Sequence, residues 1–329
     1  MRAPKFWFRP ADAPGFAARA LSPLGHLYAT ATAARLRKSG LRLPVPVICV
    51  GNLNVGGTGK TPTVIALLQM LADRGAAPHV VSRGYGGTLK GPHLVDPRRD
   101  TAADVGDEPL IVANFAPVHV SRDRAAAAKA AVEGGADVIV MDDGFQNPAL
   151  RKDLSILVVD AETGFGNGRV VPAGPLREGV SAGMGRADLL LSIGSANAQQ
   201  GFDAAWGAQI PCARATGRLS PIRTGMPWDG LRVLAFAGIG RPQKFFDTLN
   251  GVGANVVAAR SFDDHQVYSD TILARLTREA REANAQLVTT EKDAVRLPAS
   301  FRPSVLTVPV RLEFDDPAPV LAALDRIGI

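Results

Sequence analysis

An α/β fold of the P-loop NTPase type is predicted, a mostly parallel sheet flanked by helices, and three observations predict it. Short apolar runs such as Val45 to Val50, Val138 to Met141 and Leu154 to Asp160 alternate with stretches of helical periodicity. The stretch Val50 to Pro62, VGNLNVGGTGKTP, sets a glycine-rich turn between the first run and a helical pattern over Thr63 to Leu71. Aromatic residues make up only 6% of the chain while aliphatic content is high. The length of 329 residues suggests about two domains of ~150 residues each.

Residues 1–40 form a basic and aromatic segment. Phe6, Trp7 and Phe8 sit between Lys5 and Arg9, and a helix is expected from Ser22 as N-cap with Pro23 at its first position. Leu24, Leu27, Tyr28 and Ala31 recur on one face, and Arg35, Arg37 and Lys38 precede a C-cap at Gly40. Such a segment fits a membrane interface, or equally a helix packed on its own core with its basic residues solvated. Residues 1–50 hold eight basic residues against the single acid Asp12, whereas the whole chain carries +6, so the basic character is local. That argues for one anionic surface met by the N-terminus and against a nucleic-acid groove. Two cysteines, Cys49 and Cys212, exclude a disulfide framework and suggest a reducing compartment. The opening MRAPKFWFRP lacks the apolar core of a secretory signal, and no uncharged apolar run reaches the ~18 residues of a membrane span.

Residues 41–220 are expected to form the P-loop domain. Glycines let backbone N–H groups point at anionic oxygens, so Gly56, Gly57, Thr58 and Gly59 are candidates to cradle phosphate. Lys60 can reach the β- and γ-phosphates and Thr61 can offer a hydroxyl to Mg²⁺. Asn54 stands where the strict pattern has glycine, and asparagine tolerates positive φ better than most residues. A strand over His79 to Ser82 leads into Arg83-Gly84-Tyr85, which a doubly wound sheet places at the ligand crevice, with Arg83 pairing to phosphate and Tyr85 stacking or hydrogen bonding. Asp107 and Glu108 precede a helix whose dipole favours acids in its first turn, and capping alone accounts for them. After a strand at Val118 to Ser121, an Ala-rich helix begins near Asp123 and Arg124.

The run Val138 to Met141 ends in Asp142-Asp143-Gly144-Phe145-Gln146. A strand delivering an acid at its C-terminal end is the second half of a P-loop site, and two adjacent acids on a strand point to opposite faces. The long loop Gly164 to Gly179 carries Arg177, able to stabilise phosphoryl charge, and Glu178, able to help hold a cation; a surface ion pair is the alternative. Ala187 to Ile193 closes the strands of this domain, and residues 194–230 show no clear periodicity. Residues 221–329 read as a smaller α/β domain beginning with the strand, turn and helix of LRVLAFAGIGRPQKFFDTL. Within it, Asp263, Asp264 and His265 group a proton carrier with carboxylates, or cap a helix. LVTTEKD reads as a strand ending in polar residues.

In order, VGNLNVGGTGKTP, SRGYGG, VGDEP, DDGFQ, PAGPLRE, FAGIGRPQKFF, DDHQVY and TTEKD resemble the tetraacyldisaccharide 4′-kinase family, the lipid A 4′-kinases of Gram-negative bacteria, over nearly the whole chain. The resemblance implies transfer of the γ-phosphoryl group of ATP, with Mg²⁺, to the 4′-hydroxyl of a tetraacylated glucosamine disaccharide 1-phosphate at the cytoplasmic face of the inner membrane. It implies a peripheral protein whose C-terminal domain closes over the nucleotide. Carried onto matching positions, Lys60 and Thr61 serve phosphates and Mg²⁺, with Asp142, Asp143 and Glu178 around the cation. Asp107 resembles the family's proposed base, paired with His265. Arg83, Tyr85, Arg124, Gln146 and Arg177 resemble nucleotide or substrate contacts. With an acylated substrate implied, the N-terminal segment reads as an anchor on an anionic membrane. Two other readings stand beside this one: a P-loop enzyme acting on a soluble metabolite, which has no use for that segment, and a nucleotide switch or metallochaperone, whose deviant loops carry lysine where this chain has Val55.

Overall fold

The apolar runs become strands because each is covered on both faces, where β-branched side chains pack between sheet and helices. The computed structural model describes residues 3–222 and 225–329; residues 1 and 2, including Arg2 of the basic segment, and residues 223 and 224 of the expected second domain lie outside them. The strands in chain order are β1 (Val47–Gly51), β2 (Pro78–Ser82), β3 (His93–Leu94), β4 (Val118–Val120), β5 (Val138–Asp142), β6 (Leu154–Asp160), β7 (Leu189–Ile193) and β8 (Ala213–Pro221), then β9 (Arg232–Ala237), β10 (Asn255–Ser261), β11 (Gln286–Thr290), β12 (Val305–Val308) and β13 (Val310–Phe314).

They form a nine-stranded sheet in the order β13-β8-β7-β6-β1-β5-β2-β4-β3 and a four-stranded sheet in the order β10-β9-β11-β12. Pairing is parallel except at the two edges of the larger sheet, β3 with β4 and β13 with β8. β1 lies between β5 and β6, with Val50 in register with Asp142 on one side and Ile156 on the other. The chain leaving β1 therefore turns beside the acid that ends β5, at the point where strand order reverses.

Helix Lys60–Asp73 covers one face of the larger sheet, burying Val64, Leu67, Leu68 and Leu71, each contributing roughly 1.5–3 kcal/mol over exposure. Helix Arg124–Glu133 covers the other through Ala127, Ala128 and Ala131, small residues that let it approach the sheet closely. Asp123 caps it, accepting from the N–H groups of Ala125 and Ala126. The smaller sheet has its own cores on both faces, one around Phe245, Phe246 and Leu249, the other around Phe236, Tyr268 and Leu276.

Three features depart from expectation. The N-terminal helix runs Phe16–Leu36 with Pro23 inside it, and Ser22 is not its cap: the Ser22 hydroxyl donates to the Ala18 carbonyl at 2.7 Å and accepts from Arg169. Residues 194–230 contain helix Ala196–Trp206, capped by Ser195, and strand β8. Two aromatics, Phe202 and Trp206, anchor that helix against Phe165, too few to give a visible period. Finally, a division at residue 220 puts everything after it in the smaller unit, but β13 crosses back to pair with β8 and helix Ala318–Asp325 packs there too, so along the chain the smaller unit is inserted between strands of the larger sheet.

Candidate active site

The turn after β1 takes its shape from Gly56 and Gly59, at φ +114° and +95°, values that strain any residue with a Cβ. Asn52, absent from the sequence candidates, holds the turn from inside by donating to the Gly56 carbonyl and the Thr58 hydroxyl. Gly56 and Gly57 are exposed, and Lys60 and Thr61 open helix Lys60–Asp73, whose N-terminal N–H groups and dipole suit an anion. Asn54 does not adopt positive φ. It is buried, donates to the Gly164 carbonyl at 3.0 Å, and bridges to Leu176, while the Val55 N–H donates to the Pro175 carbonyl. Its side chain fastens the turn to the long loop 164–179. That explains an asparagine there without a conformational argument.

Asp142 ends β5 in a buried setting, and Asp143 leaves the strand with φ +48°. Strand alternation therefore does not separate the two acids; a left-handed residue does. Burial pushes the Asp142 carboxyl up to about 6, helped by the negative charges of Asp143 and Glu108. Burial acts on Asp143 in the same sense, but Lys60 and Arg177 outweigh it and hold that carboxyl below its usual value. Lys60 Nζ lies 3.7 Å and Arg177 Nη1 2.8 Å from Asp143. Glu178 accepts from Arg186 at 2.5 and 2.6 Å through its two oxygens and from Gln146 at 2.9 Å, and Gln146 also donates to the Asn52 carbonyl. Arg124 is buried behind the strand end, donating to the carbonyls of Asp142 and Val81. Arg186, like Asn52, is a residue the sequence reading missed.

Among the described residues, no three His, Cys, Asp or Glu side chains gather as a metal cluster. The donors fit Mg²⁺ in another manner, since that ion usually takes one or two carboxylates and completes its shell with phosphate and water. Asp142, to whose carboxylate no described side chain donates, and the Thr61 hydroxyl are suited to it; Glu178 is already neutralised by Arg186.

Asp107, whose neighbour Glu108 acts through its charge on Asp142, begins the short helix Asp107–Val112 just after Gly106 and is 2% exposed. The smaller unit comes down on it. His265, in the loop after β10 at φ +60°, sets Nδ1 3.3 Å from Asp107 Oδ2. Arg296 donates to the same oxygen through Nε at 3.0 Å and, more closely, through Nη2. Its Nη1 donates to the Gly238 carbonyl at 2.8 Å and to Asp293 at 3.2 Å. Lys292 pairs with Glu108 at 2.7 Å and stands 3.8 Å from Asp107 Oδ2. Burial works to raise the Asp107 carboxyl, but the His265 hydrogen bond and the charges of Lys292 and Arg296 overcome it and hold Asp107 well below the usual carboxylate range.

Tyr85 is exposed, with its ring 5.5 Å from that of His265. Arg83 is exposed in the same loop. The alternative of a helix cap at Asp263 to His265 is not realised, since Ser269 caps the next helix. Lys292 and Arg296 went unnoticed in the sequence; their only signal is a pair of bases four apart around Asp293. A second bridge between the units joins Asp160 and Glu162 to Arg241 and Lys244, at 2.6 to 3.0 Å.

A family model described as Tetraacyldisaccharide-1-P 4′-kinase matches residues 17–328. A tetraacyldisaccharide 4′-kinase of Dinoroseobacter shibae is 60% identical over 329 residues, covering 99% of this chain and 98% of that protein. Another, from a Jannaschia species, is 57% identical over 328 residues and 99% of each chain. Among solved structures, LpxK from Aquifex aeolicus in complex with ATP superposes with a TM-score of 0.77 at 27% identity, covering 95% of this chain and 100% of that one.

Proposed function

The chain belongs to the tetraacyldisaccharide-1-P 4′-kinase family, and we propose that its cleft carries out the family reaction with Asp107 as the acceptor of the sugar hydroxyl's proton. The enzyme is an ATP-dependent lipid kinase that phosphorylates the 4′-hydroxyl of a tetraacylated disaccharide 1-phosphate in lipid A biosynthesis. The 4′ oxygen bonds to the γ-phosphorus, the bond from that phosphorus to the β,γ-bridging oxygen breaks, and ADP leaves with the electron pair. The hydroxyl proton passes to Asp107, which is assisted by His265.

Phosphoryl transfer needs positioning and charge neutralisation above all. The backbone of Gly56 to Gly59 and the Lys60 ammonium serve the phosphates, and Arg177 offers its guanidinium from the edge of the loop. Mg²⁺ would supply positive charge against the negative charge that develops on the phosphates. Asp142 and Thr61 are its suited partners, with Asp143 and Gln146 arranging the groups around them. Tyr85, exposed beside His265, and Arg83, exposed in the same loop, serve the acceptor sugar. Arg124 supports Asp142 from behind and is not assigned to substrate. The smaller unit closes over the nucleotide, which excludes water from an enzyme that must not hydrolyse ATP.

Residues 1–40 dock the protein on an anionic membrane surface at the cytoplasmic face of the inner membrane. Supporting this, Phe16, Leu24, Leu27 and Tyr28 are exposed on helix Phe16–Leu36, beside Arg19, Arg35, Arg37 and Lys38. Among the described residues no helix is long and apolar enough to cross a membrane. The observation that carries the reading is the meeting of Asp107 with His265 from the other unit, next to Glu108, whose charge acts on Asp142 at the end of β5. Purified enzyme should transfer label from [γ-³²P]ATP to the disaccharide 1-phosphate in detergent micelles. Asp107→Asn should lower turnover by about 10²-fold while leaving ATP affinity unchanged; wild-type turnover in that variant would remove Asp107 from the mechanism.

A further inference from the structure

We infer that Arg296 is the positioning residue for Asp107, tying the carboxylate by Oδ2 alone and so fixing Oδ1 as the oxygen that meets the acceptor hydroxyl. This rests on Asp107 being the proton acceptor. A guanidinium facing a carboxylate commonly makes two parallel bonds, one to each oxygen. Here Nε and Nη2 both address Oδ2, and His265 Nδ1 and Lys292 Nζ approach that same oxygen. No donor reaches Oδ1 among the described residues, and a proton can be accepted only where a lone pair is not already engaged.

The Arg296 side chain is 7% exposed, and its own position is fixed within the smaller unit. Nη1 donates to Gly238 and Asp293, and Asp293 is itself held by the Tyr268 hydroxyl at 2.7 Å, the Gly238 N–H at 3.0 Å and the Thr290 hydroxyl at 2.7 Å. Arg296 is thus a rigid fork presented by one unit to the catalytic acid of the other. Seating the smaller unit engages Oδ2 and so orients the base, and the arrangement in which Oδ1 alone is free exists only when the two units are together. The titratable and charged groups facing Asp107 are His265 from the loop after β10 and Lys292 and Arg296 following β11, with Glu108 beside it and Asp264 acting on Lys292. The cations keep Asp107 ionised, and Arg296 is the one bonded to it through two nitrogens.

The test compares R296Q, R296K and D107N in single-turnover transfer, with KM for ATP and thermal melting measured in parallel. R296Q should lose roughly 10²-fold in saturated rate, as for a misplaced reacting group, while keeping its KM for ATP. R296K retains the charge without the fork, so it should not restore the rate, and it too should keep its KM for ATP. A purely structural Arg296 would instead lower the melting temperature and leave the rate of the folded enzyme unchanged. Wild-type rate in R296Q or in R296K overturns the inference. Should R296Q not fold, R296K still decides the claim about the fork. Wild-type turnover in D107N would instead overturn the underlying assignment of the base, so the two failures are separable.

Discussion

Left-handed backbone at a residue with a side chain costs of order 1 kcal/mol and survives only where surrounding contacts impose it. The non-glycine residues with positive φ among those described are Asp143, His265 and Asn284, and the first two stand in the cleft. His265→Asn keeps a residue that tolerates this conformation but removes the imidazole. We expect its melting temperature to match or slightly exceed that of the wild type while turnover falls by about 10²-fold, a split read by thermal denaturation beside the kinase assay. At this scale the sequence was most informative about placement: Asp107 and His265, which the resemblance pairs, meet in the structure, and Lys60 opens the helix after the glycine turn. It was silent on Arg296, whose part is defined by Asp107, 189 residues away, and on Asn52, whose bonds to Gly56 and Thr58 exist only once the turn has formed. It misread Asn54, because conformational tolerance and a side-chain hydrogen bond predict the same residue.

Among elements, β2 and β4 are neighbours in the larger sheet, and His79 on one meets His119 on the other, Nδ1 to Nε2 at 3.2 Å with stacked rings. Burial holds both imidazoles below their ordinary value; for His119 the charge of His79 adds to this, while Asp137 partly opposes it at His79. Above about pH 6.5 both are neutral whether the chain is folded or not. As pH falls through that value the unfolded chain binds protons that the native pair refuses, so stability is lost on acidification. The melting temperature should therefore drop between pH 7 and pH 5, and His119→Gln, which keeps a hydrogen-bonding group, should flatten that slope. The strands buried on both faces were legible as apolar runs. Helix Phe16–Leu36 was misplaced because a Ser-Pro pair signals a helix start, and here Ser22 bonds backwards to Ala18 within a helix already begun.

Across the whole molecule, acids of the larger unit meet bases of the smaller at two places, Asp107 and Glu108 with Lys292 and Arg296, and Asp160 and Glu162 with Arg241 and Lys244. The second bridge is the more exposed, and each such pair contributes only about 0.2–1 kcal/mol. Removing it with Arg241→Ala and Lys244→Ala should leave both units folded but raise the radius of gyration in solution scattering and speed hydrogen exchange in helix Pro242–Gly251. Motifs from both units showed that two α/β bodies exist, yet not that the chain returns to the first, because a single half-exposed strand near Phe314 carries no mark of its partner. That return has a consequence for how the protein is made. Until the ribosome delivers residues 310–314, the nascent larger sheet ends in β8, nine residues of unpaired edge, while the smaller body is already complete. A chain stopped at residue 309 should accordingly aggregate on expression more than the chain that includes residues 310–314, because that strand covers the edge which β8 otherwise leaves open.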